Sequence, residues 1–281
     1  MLSLLKVVLG IGSLAAATSA SPLRESGPVP ACGNGPASEE HMAISRELRL
    51  IEKRVLSDDY KAPEDIQVPV YVHIVASSNT VEGGFVDQRQ NAKDMIVGLN
   101  EGYKGMGFNF TLMNITYTIN EDWAIQTEML GTEMKNSLRL GDYKTLNLYY
   151  IVDVWGDWDG LCNYPMTVDE RGDNFFADGC IIQASSMNNN VSTIHEVGHW
   201  LGLIHTFEGG CSGGDLVDDT PAMEDTGYGV CEEGQNTCPG QPGLDPVRNY
   251  MSYGSCRDSF TAGQRARMET MWNYYRANST V

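Results

Sequence analysis

Positive charge is scarce in this 281-residue chain: Lys and Arg total 19 against 37 Asp and Glu, a formal net charge of -18. So acidic a surface repels phosphates, which excludes nucleic acid as an expected partner and favours solubility. Long apolar runs are missing as well. Beyond the first 20 residues no stretch approaches the ~20 apolar residues that cross a bilayer, so no membrane span is expected. The chain has no internal repeat. It also has no close Cys-x-x-Cys pair, which argues against a zinc–cysteine cluster. Histidine is rare: there are five, and three of them fall between positions 195 and 205.

The first 20 residues have the pattern of a secretory signal, with Lys6, an apolar or small run from Val7 to Ala17, and Thr18-Ser19-Ala20 as a small-residue cleavage site. Export, a soluble extracellular product and a monomer are expected. Asn109, Asn114, Asn190 and Asn278 each open an Asn-x-Ser/Thr sequon, in keeping with a secreted glycoprotein. Asn190 lies just ahead of the histidine-rich segment, where crowding disfavours its use. Seven cysteines in an exported chain suggest three disulfides and one thiol left over. Six cysteines allow 15 pairings, and the sequence does not choose among them.

The histidines carry the chemistry. His195-Glu196-Val197-Gly198-His199 puts two imidazoles four residues apart, on one face of a helix, where both can reach one zinc ion. Glu196 then stands beside the metal as a general base. Ile194, Val197 and Leu201 occupy the opposite face, which would enter a core. Gly202 allows the chain to leave the helix, so that His205 can swing back as a third ligand and leave the fourth position to water. A bare His-Glu-x-x-His arises by chance about once in a few tens of thousands of windows. The glycine and third histidine lower that by a further factor on the order of a thousand. His73, inside a strand pattern, is expected to be structural.

The longer motif, running to Leu203 and His205, resembles the zinc signature of the metzincin metallopeptidases. Asn249-Tyr250-Met251-Ser252-Tyr253 stands where those proteins carry a methionine turn beneath the metal. With Asp218-Asp219-Thr220-Pro221-Ala222 and the stretch from Phe260 to Met268, the text beyond residue 190 resembles the pappalysin family, in particular its small secreted fungal-type members. The resemblance implies a zinc endopeptidase acting on extracellular proteins or peptides, with His195, His199 and His205 as ligands, Glu196 as base and Met251 packed under the metal. Tyr253 is a candidate to hydrogen-bond the oxyanion. Asp215, Asp218, Asp219 and Thr220 form an oxygen-rich loop suited to calcium. The resemblance further implies disulfides Cys211–Cys238 and Cys231–Cys256, stapling the loops beneath the zinc, with Cys162–Cys180 closing the remaining loop. Cys32 is a candidate thiol for latching the metal in a precursor, with an intermolecular disulfide as the alternative. One departure matters: the short Gly254-Ser255-Cys256 lacks the acidic residues that relatives carry there, so no preference for basic residues is implied.

Organisation follows the same division. Residues 21–67 read as a pro-segment or N-terminal extension with a helical pattern from Glu39 to Leu56, and 68–281 as the catalytic domain. Strands are expected at Val68–Val75, Phe108–Ile119 (with an irregularity after Leu112), Leu146–Val152 and Cys180–Gln183. Helices are expected at Asp87–Lys104, Glu128–Leu138, Val191–Leu201 and from Thr261, where Thr261 and Gln264 form a capping box. This predicts an α+β fold of metzincin type: a twisted mixed sheet with backing helices above a loop-rich, disulfide-stapled lower lobe. The competing classes are a catalytically silent secreted binding protein on a peptidase scaffold and a zinc hydrolase of non-peptide substrates. Intact Glu196 and all three histidines count against the first, since a binding module needs none of them.

Overall fold

The computed structural model describes residues 32–56, 64–81, 83–84, 88–125, 131–154, 158–168 and 170–281. The expected signal segment, residues 21–31 and 57–63 of the expected pro-segment and the start of the helix expected at Glu128 lie outside them. In chain order the elements are α1 (Glu39–Val55), β1 (Ile66–Ala76), α2 (Arg89–Gly102), β2 (Phe108–Ile119), α3 (Glu121–Ala124), α4 (Thr132–Leu138), β3 (Leu146–Ile151), β4 (Gly160–Cys162), α5 (Asp173–Ala177), β5 (Cys180–Gln183), α6 (Asn190–Trp200) and α7 (Ala262–Tyr275).

One five-stranded sheet runs β2-β1-β3-β5-β4. The first four strands are parallel, and β4 pairs antiparallel to β5 at the edge. Alternation along the strands builds both faces. Val68, Val70, Val72 and Ile74 of β1 join Leu146, Leu148 and Tyr150 of β3 on the face covered by Met95 and Leu99 of α2 and Ile194, Val197 and Leu201 of α6. Val75, Tyr149, Ile151 and Ile181 point the other way, toward Ala124 and Met134. Each such fully buried side chain contributes about 1.5–3 kcal/mol, and strands buried on both sides read as near-continuous apolar runs. The irregularity in β2 is a bulge. Val70 faces Leu112 and Tyr71 faces Asn114, which leaves Met113 as the extra residue. His73 serves the sheet, bonding the Thr116 hydroxyl at 2.7 Å and Asn147 Oδ1 at 2.9 Å, so β1 is tied to both neighbours.

The C-terminal ends of α4, α6 and α7 converge on buried Asp178. Burial opposes its charge, but Arg276 and Arg139 outweigh that and hold its carboxyl below the ordinary value. Trp200 Nε1 also donates to it at 3.1 Å, which fixes the C-terminal end of α6. Beyond His205 regular structure thins out, and disulfides Cys211–Cys238 and Cys231–Cys256 hold the lower lobe. Cys162–Cys180 joins β4 to β5. The capping box at Thr261 and Gln264 opens α7. The α+β architecture, its mixed sheet and its stapled lower lobe are those expected.

Helix α1 is firmly docked. Ser38 caps it, Glu52 makes a buried ion pair with Arg267 of α7, and Arg49 and Lys53 pair with Asp218. His41 contacts the Gly202 carbonyl at 3.0 Å.

Candidate functional site

Helix α6 starts at an Asn189 cap and is pinned from three sides. Tyr103, the C-cap of α2, donates to the Ile194 carbonyl at 3.0 Å, Tyr150 of β3 meets the Thr193 hydroxyl at 2.8 Å, and Ser192 donates to Asp159 at 2.9 Å. The helix ends where Gly202 takes φ 95°, with Gly202 N–H bonded to His199 O and Leu203 N–H to Gly198 O. A Cβ at Gly202 would also lie 2.6 Å from Met271. The glycine is thus required both by the turn and by the packing of α7. The chain doubles back from it and delivers His205 beside the helical pair.

His199 Nε2 lies 3.2 Å from His195 Nε2 and 3.2 Å from His205 Nε2. Three imidazole nitrogens on one tetrahedral zinc, each about 2.0–2.1 Å from it, stand about 3.3–3.4 Å apart. Protonation decides whether the set suits a cation. His195 Nδ1 faces the Tyr250 carbonyl at 2.6 Å and His199 Nδ1 the Leu203 carbonyl at 2.8 Å. A carbonyl only accepts, so both Nδ1 atoms carry the proton and both Nε2 atoms present bare lone pairs. Burial holds all three rings neutral: His199 falls to about 3, and His195 and His205 sit well below the usual value, pushed further by their neighbours. Lone pairs aimed at one another at this range repel unless a cation lies between them. The donor set fits zinc.

Glu196 is 1% exposed on the same helix, beside the triad. Burial, reinforced by Asp159, pushes its carboxyl up to about 8 against the opposing hydrogen bond from Cys32 and the Arg257 charge. A Cβ at Gly160 would come within 3.0 Å of Glu196 Cγ, so the edge strand β4 runs directly against the carboxylate. Met251 is fully buried beneath the triad. Gly198 makes room for it, since a Cβ there would lie 2.5 Å from the methionine sulfur. The same turn offers Tyr250 O to His195, and brings the Tyr253 hydroxyl to 3.3 Å from His205 Nε2.

Cys32 joins this cluster: its sulfur and the three histidine nitrogens all lie within 4.8 Å of one another. The strap around it pairs with β4. Cys32 bridges Gly160, Gly33 N–H donates to Gly160 O at 2.7 Å, and the Asn34 amide exchanges two bonds with Cys162 at 2.6 and 2.8 Å. Only 8% exposed, the thiol is not presented for a bond to another chain.

The oxygen-rich loop is less uniform. Asp218 is engaged by Arg49 and Lys53, and Asp219 accepts from the Thr261 hydroxyl at 2.7 Å and Gly263 N–H at 2.8 Å. Asp215 Oδ2 and Thr220 Oγ1 are buried with no partner in good geometry, and burial pushes Asp215 up to about 7. Among the sequons, Asn114 and Asn278 are exposed and Asn109 half-buried. The Asn190 amide fills the space where Gly98 has no Cβ, 1.8 Å from an ideal one.

Sequence reasoning missed four contributors. Tyr164 stands edge-on to His199 at 5.2 Å and against His41 at 4.7 Å, while Phe207 stacks on His205 at 4.7 Å. Asp159 accepts from Ser186 and Ser192, and Arg257 lies under the methionine turn. Phe207, two residues past the third histidine, had a positional signal; the others have none in the local text.

The peptidase M43 family model, described as pregnancy-associated plasma protein-A, matches residues 137–273. Over 262 residues the chain is 41% identical to an extracellular metalloprotease of Neurospora crassa, covering 89% of this chain and 90% of that one. It is 39% identical over 282 residues to extracellular metalloprotease 1 of Coccidioides posadasii, covering 96% and 97%. Among solved structures, metalloproteinase-II from Bacteroides fragilis aligns with a TM-score of 0.45 and 14% identity over 76% of this chain and 56% of that one. With relatives this similar along nearly the whole length, the chain belongs to the pappalysin (M43) family of metallopeptidases.

Proposed function

We propose that this protein is a secreted zinc endopeptidase whose precursor is held silent by its own N-terminal segment. The observation that carries the reading is the convergence of three neutral imidazoles, two of them with Nδ1 committed to backbone carbonyls. Family membership implies a metal, typically zinc, and His195, His199 and His205 are the residues that would hold it. Bound there, zinc supplies Lewis acidity, making water nucleophilic near neutral pH and polarising the scissile carbonyl. Glu196 takes the proton of the attacking water and returns it to the departing amine. Tyr253 donates its hydroxyl hydrogen to the oxyanion. Met251 holds the floor of the site and orients the histidines through its turn. Secretion is supported by the signal-like N-terminus and by relatives named extracellular metalloproteases.

Endopeptidase action is supported by the strap. Residues 32–34 are an internal stretch of chain lying along β4 beside Glu196, so the cleft admits a peptide that continues in both directions. The purified enzyme should cleave gelatin and also short peptides blocked at both ends. A zinc chelator should abolish both activities and zinc restore them. Hydrolysis that persists in metal-free protein would overturn the reading, and cleavage limited to free termini would overturn its endopeptidase part.

Residues 21–67 act as the pro-segment and 68–281 as the catalytic unit in this reading; β1 already begins at Ile66. Calcium fits the loop through Asp215, Asp218, Asp219 and Thr220 once Arg49 and Lys53 depart with the pro-segment. Asp215 Oδ2 and Thr220 Oγ1, buried close to each other and without a well-formed partner, are the groups a cation would satisfy. Millimolar calcium should raise the melting temperature of the processed enzyme by several degrees, and Asp215→Asn should remove the rise. An unchanged melting temperature rules calcium out.

A further inference from the structure

We propose that Arg257 is a positioning residue that fixes Tyr253 against the histidine triad by clamping the two peptide carbonyls on either side of it. Its Nε donates to Gly254 O at 2.8 Å and its Nη1 to Ser252 O at 3.2 Å. Between those acceptors lies the residue whose hydroxyl stands 3.3 Å from His205 Nε2. The guanidinium is 8% exposed, so its two bonds are shielded from competing water. A rigid planar fork can serve two neighbouring carbonyls at once; a lysine ammonium is a single point charge on a flexible stem.

The rest of the turn shows how closely this segment is held. Tyr253 O accepts from Gly229 N–H at 2.9 Å, and the Ser252 hydroxyl donates to Val247 O at 3.1 Å. A Cβ at Gly254 would lie 2.3 Å from Val247 O and 3.1 Å from Val230 O, so the chain leaves Tyr253 through a slot that admits no side chain. Arg257 is itself anchored, because the preceding residue, Cys256, is bonded to Cys231. The disulfide fixes the arginine, the arginine fixes both carbonyls, and the carbonyls fix the tyrosine backbone. Burial pulls the guanidinium below its ordinary value, only partly offset by Tyr228, Asp159, Glu196 and Tyr253, which favour the cation.

The proposal rests on Tyr253 acting on the oxyanion, and the test separates the two ideas. Arg257→Lys, Arg257→Gln, Tyr253→Phe and Tyr253→Phe combined with Arg257→Lys are made in the zinc-loaded secreted protein. Zinc content, steady-state kinetics on a blocked peptide and amide hydrogen exchange across 251–256 are measured for each. Displacing a catalytic group by an ångström costs on the order of a hundredfold, so Arg257→Lys should lower kcat about tenfold to a hundredfold with KM within about twofold and zinc retained. Arg257→Gln, shorter and with a single donor nitrogen, should fall at least as far. Exchange at the Tyr253 and Gly254 amides should quicken in both. Once Tyr253 is phenylalanine, Arg257→Lys should lower kcat no further. Unchanged exchange, or losses that multiply in the double variant, overturns the clamp. Faster exchange with full kcat in Tyr253→Phe alone supports the clamp and overturns the catalytic role of the phenol.

Discussion

Glu196→Gln should lower kcat by about a thousandfold or more while the protein still binds one zinc ion and melts close to the wild-type temperature. The substitution is nearly isosteric, and 1% exposure leaves the surroundings no freedom to bring another base into the gap. General-base transfer contributes about a hundredfold to ten-thousandfold, and in the proposed mechanism the same carboxylate also delivers the proton to the amine. An amide does neither. KM should move little, because the side chain acts in the transition state rather than in ground-state binding. His199→Ala provides the contrast: activity disappears there because zinc is lost, which metal analysis reports directly. A zinc-loaded Glu196→Gln enzyme of normal kcat would remove the carboxylate from the mechanism and with it the proposed chemistry.

The features legible in the sequence share one property: they are local. His195 and His199 sit one helical turn apart, and Gly202 marks the exit that returns His205. The β-branched run of β1 and the capping box of α7 are written in adjacent residues in the same way. What the sequence hides depends on distant segments meeting. Strand β4 has three residues and α5 five, too short for a periodic signal. Gly198 reads as an arbitrary spacer until the Met251 sulfur arrives from 53 positions later and occupies the place of its Cβ. Asp159 and Tyr164 lie in irregular chain, and Arg257 resembles any surface arginine until the turn folds over it. The acidic loop shows the converse case. Four oxygen-bearing residues read as one site, yet the fold gives Asp218 to Arg49 and Lys53, and Asp219 to the start of α7.

Cys32→Ala should make the unprocessed protein active, by tenfold or more over the wild-type precursor, without any cleavage of the chain. Two kinds of contact hold the strap in the cleft. Three hydrogen bonds tie residues 33 and 34 to Gly160 and Cys162, each contributing about 0.5–1.5 kcal/mol. Helix α1, anchored by Glu52 and Arg267, keeps the strap close, so these bonds re-form quickly after each opening. Hydrogen bonding of this strength exchanges with a peptide substrate. With zinc bound, a Cys32 thiolate on the cation would be the stronger hold, and the Cys32 sulfur already lies within 4.8 Å of all three histidine nitrogens. Removing it therefore turns a closed site into a competed one. Cobalt substitution reads the same contact without turnover: the wild-type precursor should show a sulfur-to-metal charge-transfer band that Cys32→Ala lacks. If the band is absent from the wild type, and the Cys32→Ala precursor stays as silent as its parent until cleavage activates both, the hydrogen-bonded strap alone enforces latency and the thiol has no part in it.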